Sequence, residues 1–408
     1  MKKRFLSAGL AVVMAASLSA CGGSGSASTT TAAAGEAKAE GESKASESSA
    51  AADGASFKIG GIGPVTGGAA VYGLAVQHGA EIAVKEINEA GGINGYPVEF
   101  QFQDDEHDAE KSVNAYNTLK DWGMQALMGT VTSAPCIAVA DKTAADNMFQ
   151  ITPSGSAVEC AANPNVYRVC YSDPAQGTAS AKYIGEHKLA SKVAVIYDSS
   201  DVYSSGIYEK FAQEAPNQGI EVVDAEAFTA DSNKDFSTQL QKAKESGAEL
   251  VFLPIYYTEA SLILQQANTM GFAPQFFGCD GMDGILQVQN FDVKLAEGLM
   301  LLTPFAADAT DDLTVKFVKS FEDAYGETPI QFAADAYDAM YILKAAMEEA
   351  NVTPDMAVGD ICDAMEGAMT KIKVDGLTGT NMTWTEDGEP EKDPKAVQVV
   401  DGAYKAME

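Results

Sequence analysis

Residues 57–65 read Phe-Lys-Ile-Gly-Gly-Ile-Gly-Pro-Val, and the stretch beyond them carries Val76, Ala80, Ala83 and Ile87 before closing on Gly91-Gly92. The first run reads as a strand. Spacings of four, three and four then place the apolar residues on one stripe of a helix that the two glycines end. A strand followed by a crossover helix is the repeating unit of a parallel sheet. Runs at 98–103, 125–131 and 148–152 continue as strands, each preceded by a helical stretch. One α/β lobe is thereby expected.

A second series begins after Asp173-Pro174. It reads as a helix to about 189, strand 192–198, a helix from Tyr203, strand 221–228, helix 236–245, strand 249–256, helix 259–270, and strands 275–278 and 298–303. Helices follow at 313–325, 332–350 and 356–369, then an alternating run at 381–385, a turn at Asp387-Gly388 and a last strand near 397–400. Two strand–helix series with leftover helices and a β tail imply a chain that crosses between two lobes more than once.

Upstream of the first strand, Lys2, Lys3 and Arg4 head an apolar run at 5–18 that is too short to span a bilayer, and small residues lead to Leu18-Ser19-Ala20-Cys21. This has the form of a bacterial export signal over 1–20. The Leu-Ser-Ala-Cys end is similar to the lipobox of bacterial lipoproteins, so Cys21 is the expected lipid site and the only membrane attachment. From Gly22 the chain is Ser, Ala, Gly, Thr and Glu with almost no large apolar residue until Phe57, and 21–55 is expected to be a disordered tether.

Lys plus Arg number 27 against 58 Asp plus Glu, a formal charge of -31. A surface that anionic repels nucleic acid and anionic headgroups, so neither is an expected partner. Beyond Cys21 the cysteines are Cys136, Cys160, Cys170, Cys279 and Cys362, none at metal-ligand spacing with a His, and no metal or other cofactor is expected. Cys160 and Cys170 flank a short loop at Asn163-Pro164 and could pair if its ends lie side by side.

Enzymatic motifs are absent. Gly61, Gly63 and Gly67 miss the dinucleotide spacing, no phosphate-loop Gly-Lys-Ser/Thr occurs, and His78, His107 and His187 are not clustered with acids or cysteines. Asp231, Asn233 and Asp235 imitate a calcium loop, but Phe236 stands where Gly is needed and Lys242 where Glu is needed. Asp104-Asp105-Glu106 reads as a solvated strand end, with a supporting role at the cleft mouth as the alternative.

In open α/β sheets ligands bind beyond the carboxyl ends of the strands, where unpaired helix N–H groups converge. The segments there are 63–68 followed by Tyr72, the run Thr130 to Pro135 containing Ser133, and Thr152-Pro153-Ser154-Gly155-Ser156. Each hydroxyl can cap its own helix, yet together they make a donor set for a carboxylate. In the second series strand 275–278 runs into Cys279-Asp280-Gly281, which places Asp280 to hold an ammonium. Tyr203 and Tyr256 follow two other strands and suit cleft walls.

At this point the chain resembles the leucine/isoleucine/valine-binding proteins, the type I periplasmic-binding-fold subunits of ABC importers. The likeness is carried by Ile59-Gly60-Gly61-Ile62-Gly63-Pro64 with Thr66-Gly67, Ile87-Asn88-Glu89-Ala90-Gly91-Gly92-Ile93-Asn94-Gly95, and Asp104-Asp105. It continues through Val131-Thr132-Ser133, Ile151-Thr152-Pro153-Ser154, Val193-Ala194-Val195-Ile196-Tyr197-Asp198, Gln275-Phe276-Phe277-Gly278 and Ala336-Tyr337-Asp338-Ala339. The resemblance implies two Rossmann-like lobes joined by three crossovers, with an amino acid in the cleft and an ABC permease as partner. It divides the chain into 56–173 plus about 306–377, and 174–305 plus about 378–408, in a protein expected to be monomeric. It assigns the carboxylate to Ser133, the backbone of Ser154 and the hydroxyl of Ser156, the ammonium to Asp280, and the walls to Tyr72, Tyr203, Tyr256 and Phe332. Gly155 and Ser156 depart from the family's usual Ala and Thr, and the segment Asp201-Val202-Tyr203 is one residue longer than usual. A lipid-anchored sensor of the same fold, or a ligand without an amine such as an amide or aromatic acid, stays open beside the importer reading.

Overall fold

The computed structural model describes residues 54–392 and 394–407. The export signal, Cys21 and nearly all of the tether lie outside these residues. The first series runs β1 (Phe57–Gly63), α1 (Ala70–Glu89), β2 (Val98–Asp104), α2 (Ala109–Trp122), β3 (Ala126–Gly129), α3 (Ser133–Asp146), β4 (Phe149–Thr152) and β5 (Val166–Arg168). Its strands form an all-parallel sheet in the order β2-β1-β3-β4-β5. β1, β3 and β4 are buried at nearly every position because helices cover both faces, whereas β2, on the edge, is largely part-exposed.

The second series comprises α4 (Asp173–Glu186), β6 (Lys192–Asp198), α5 (Val202–Glu214), β7 (Glu221–Phe228), α6 (Ser237–Glu245), β8 (Leu250–Leu253), α7 (Tyr257–Thr269), β9 (Gln275–Gly278) and β10 (Met300–Thr303). The chain then adds α8 (Asp312–Tyr325), α9 (Gln331–Glu349), α10 (Val358–Met369), a hairpin of β11 (Thr383–Trp384) and β12 (Pro390–Glu391), and the pair β13 (Lys395–Val400) and β14 (Ala403–Ala406). The second sheet has the order β14-β13-β10-β9-β8-β6-β7, parallel except where β13 and β14 close it antiparallel. Helices α9 and α10 return to the first sheet, with α9 against α1. So close is this packing that a Cβ on Gly79 of α1 would lie 2.1 Å from the Ala333 carbonyl oxygen. The chain therefore passes between sheets three times, after β5, after β10 and after β12, as the resemblance implies.

Three expectations need correction. The first lobe does not end near 377, because the β11–β12 hairpin packs on β5: Trp384 Nε1 donates to the Arg168 carbonyl (2.9 Å) and the Arg168 N–H to that of Gly388 (3.1 Å). Cys160 and Cys170 are both free and buried; β5 carries Cys170 away, while Cys160 packs with Cys136. Asp105 is not solvated. It is fully buried, accepts the His107 N–H at 2.9 Å, and burial pushes its carboxyl up to about 7.

Candidate functional site

The carboxyl ends of β3 and β4 bring two hydroxyl-bearing turns together. Ser133 opens α3, and its Oγ accepts the N–H groups of Ser156 (3.3 Å) and Ala157 (3.2 Å). With its lone pairs engaged, the Ser133 O–H is left as a donor. Ser154 Oγ donates to the Val131 carbonyl at 2.7 Å and so ties the two turns to each other. Ser156 Oγ is buried without a well-formed hydrogen bond; its electrostatic neighbour is Asp173 at the start of α4.

Arg168, at the end of β5, holds this loop from behind. Fully buried, it donates through Nη1 to the carbonyls of Ser156 (2.6 Å) and Gly155 (3.3 Å) and through Nη2 to that of Ala157 (3.0 Å). Its Nε lies 3.3 Å from Glu389 of the hairpin. A buried guanidinium is tolerable only with such charge-assisted partners, and here they are the carbonyls of one loop.

The second sheet supplies the acid. Asp280 follows β9, and its carboxylate accepts from Tyr203 Oη (2.8 Å), Gln176 Nε2 (2.9 Å) and the Gly281 N–H (2.7 Å). Burial raises its carboxyl to about 6 despite these donors, so it is ionised at neutral pH but sparingly solvated. Asp173 is pushed well above the usual carboxylate range, chiefly by burial and further by Asp280. A Cβ on Gly281 would lie 2.6 Å from Tyr203 Oη, so this position needs glycine for Tyr203 to reach the acid.

Aromatic rings close the remaining sides. Asp201 caps α5 by accepting the Tyr203 N–H at 3.1 Å, which aims Tyr203 inward. Tyr203 stacks on Tyr256 at 4.9 Å, and Tyr72 stacks on Phe332 at 4.2 Å. Tyr72 Oη donates to the Gly281 carbonyl, and Thr258 Oγ1 donates to the Gly68 carbonyl at 3.0 Å, joining the two lobes directly. Gln331, opening α9, donates to the Asp280 carbonyl at 2.8 Å.

All eight residues expected from the sequence, Tyr72, Ser133, Ser154, Ser156, Tyr203, Tyr256, Asp280 and Phe332, line one narrow cavity together with Val131, Thr132 and Gly281. Donors from the first lobe face an acid from the second across it. Sequence reasoning missed Gln176, Gly281 and Arg168. Only Gln176 carried a signal, at helical spacing after Asp173-Pro174. Among the described residues no cluster of His, Cys, Asp and Glu could hold a metal ion, and no helix is long and apolar enough to cross a membrane.

A periplasmic binding protein family model matches residues 56–403. The Leu/Ile/Val-binding protein homolog 3 of Brucella melitensis is 31% identical over 74% of this chain and 82% of its own. The branched-chain amino acid transporter substrate binding protein LivJ of Streptococcus pneumoniae, solved in complex with isoleucine, superposes with a TM-score of 0.77 at 26% identity, over 86% of this chain and 99% of its own. A solute binding protein from R. palustris, in complex with benzoate, shares the fold with a TM-score of 0.75 at 20% identity, over 86% of this chain and 95% of its own.

Proposed function

We propose, from the premise that this chain belongs to the Leu/Ile/Val-binding family of periplasmic binding proteins, that it binds an apolar α-amino acid, branched-chain above all, and hands it to an ABC permease. Its relatives are extracytoplasmic substrate-binding proteins rather than enzymes. In this reading the export signal is removed, Cys21 carries the lipid, and the tether keeps the two lobes near the membrane.

The observation that carries the proposal is the opposition of charge preferences across the cavity. On one side are the Ser133 O–H and the buried Ser156 hydroxyl; on the other is the ionised, desolvated Asp280. A zwitterionic head group satisfies both at once, its carboxylate on the serines and its ammonium on Asp280. Tyr72, Tyr203, Tyr256 and Phe332 then enclose the side chain. Because the halves of this grip lie on different lobes, the ligand binds the closed arrangement better than an open one, and that difference alone drives closure. Micromolar affinity needs about 8 kcal/mol net, which two paired charges and a partly buried side chain can supply.

An aromatic acid, of the kind bound by the R. palustris neighbour, would set an apolar ring against Asp280 and leave a buried carboxylate without its cation, a costly arrangement. A thermal-shift survey of the twenty amino acids and a panel of aromatic acids tests the choice. Leucine, isoleucine and valine should raise the melting temperature. Shifts from aromatic acids alone would overturn the reading.

A further inference from the structure

Behind the two serine turns lie two sulfurs that ligand binding does not use. Cys136 sits in the first turn of α3, three residues after Ser133, and Cys160 in the short helical turn Val158–Ala161, just beyond Ser156. Both are fully buried and form a small cluster with Ala157. Cys160 Sγ lies 3.6 Å from the Ser133 carbonyl, and Gln150 Nε2 lies 3.6 Å from Cys136 Sγ. A Cβ placed on Gly155 would come within 2.8 Å of Cys136 Sγ, so the serine loop rests directly on this sulfur.

We propose that Cys136 and Cys160 form a redox-active dithiol that closes to a disulfide beneath the serine turns, stapling the first turn of α3 to the segment after Ser156. The two sulfurs share one small buried cluster; burial pushes the Cys160 thiol well above the ordinary range, whereas its neighbour Cys160 pulls Cys136 below it, and the charge of the buried Arg168 acts toward the thiolate at both. Cys170, Cys279 and Cys362 have no such sulfur neighbour: Cys279 contacts Ser180 and Cys362 contacts Glu366. An extracytoplasmic chain meets oxidising surroundings, where such a pair is oxidised by exchange with a disulfide reagent. The Cys136 thiolate attacks one sulfur of the reagent, forming a mixed disulfide and releasing one thiol. The Cys160 thiolate then displaces the second thiol, and the two protons lost by the cysteines end on the two released thiols. One intramolecular S–S bond has replaced one intermolecular S–S bond. The inference does not depend on which ligand the cavity takes.

The test uses the full chain, reduced and then treated with oxidised glutathione in two arms: the native protein, and the protein refolded from denaturant in a glutathione redox mixture, where burial no longer shields the sulfurs. Expected in either arm is the loss of two titratable thiols relative to the reduced chain, with non-reducing peptide mapping joining the Cys136 and Cys160 peptides. The oxidised protein should melt several degrees higher than the reduced one, and a dithiol reductant should reverse this. Cys136→Ser and Cys160→Ser should each retain every remaining thiol, while Cys170→Ser should still lose two. A full thiol count in both arms, or a bridge mapped to any other pair, would overturn the inference.

Discussion

Replacing Asp280 by Asn should move binding and stability in opposite directions. In the folded chain burial lifts this carboxyl from 3.8 to about 6. The neutral form is thus favoured by folding, and the ionised form costs stability above about pH 6, partially between 3.8 and 6, and not at all below. At about 1.4 kcal/mol per pH unit the cost at neutral pH is on the order of 3 kcal/mol. Asn keeps the shape and can still meet Tyr203 and Gln176 but carries no charge to desolvate, so the variant should melt a few degrees higher than the parent. Binding should go the other way. An ammonium sealed against a neutral amide loses its partner, which costs about 3–5 kcal/mol, or roughly two to three and a half orders of magnitude in Kd. Differential scanning calorimetry of the free protein and isothermal titration with leucine read the two effects separately. A variant that binds leucine as tightly as the parent would refute the role given to Asp280. One that binds weakly and melts several degrees lower would show that the acid supports the fold and that the opposition of the two effects is wrong.

Three further outcomes follow from the same geometry. Between about pH 7.5 and about pH 5 the Kd for leucine should rise about tenfold as Asp280 takes up a proton in the free protein, with the dependence flattened in Asp280→Asn; a flat profile in the parent would contradict it. Arg168→Leu removes the donor shared by the Gly155, Ser156 and Ala157 carbonyls and should cost about 3–5 kcal/mol in denaturant-monitored stability, with weaker leucine binding as the serine loop relaxes. Stability within about 1 kcal/mol of the parent would mean the loop holds itself. Gly73→Ala should destabilise by about 1–3 kcal/mol, since the new Cβ would fall 1.9 Å from the Pro64 carbonyl oxygen and force α1, with Tyr72, away from the loop after β1; an unchanged melting curve would show that the loop yields freely.

How far the sequence could be read depended on whether a feature was local. Strands β6, β7 and β9 matched their expected bounds because each holds a pair or run of β-branched or aromatic residues, Val193 to Tyr197, Val222-Val223 and Phe276-Phe277, between clear turns. β5 has three residues, too short for a pattern to rise above its surroundings, and β14, Ala403–Ala406, is mostly exposed with a single aromatic residue to mark it. Asp280 was legible because it ends a strand in a sheet whose strand ends converge. Arg168 was not, because its importance comes from three carbonyls of a loop and from Glu389, far along the chain. The hairpin was assigned to the wrong lobe for the same reason: the indole N–H of Trp384 meets β5, and nothing near Trp384 in sequence announces it. The cysteines make the contrast sharpest. Sequence proximity suggested Cys170 for Cys160, whereas packing chose Cys136 on a helix.

The most direct test is calorimetric and compares three ligands that share one branched alkyl group: leucine, 4-methylpentanoate without the ammonium, and 3-methylbutylamine without the carboxylate. Asp280 and the serine turns acting together predict heat of binding from leucine and none from either half-molecule at the same concentration. Binding of 4-methylpentanoate as tight as that of leucine would contradict it.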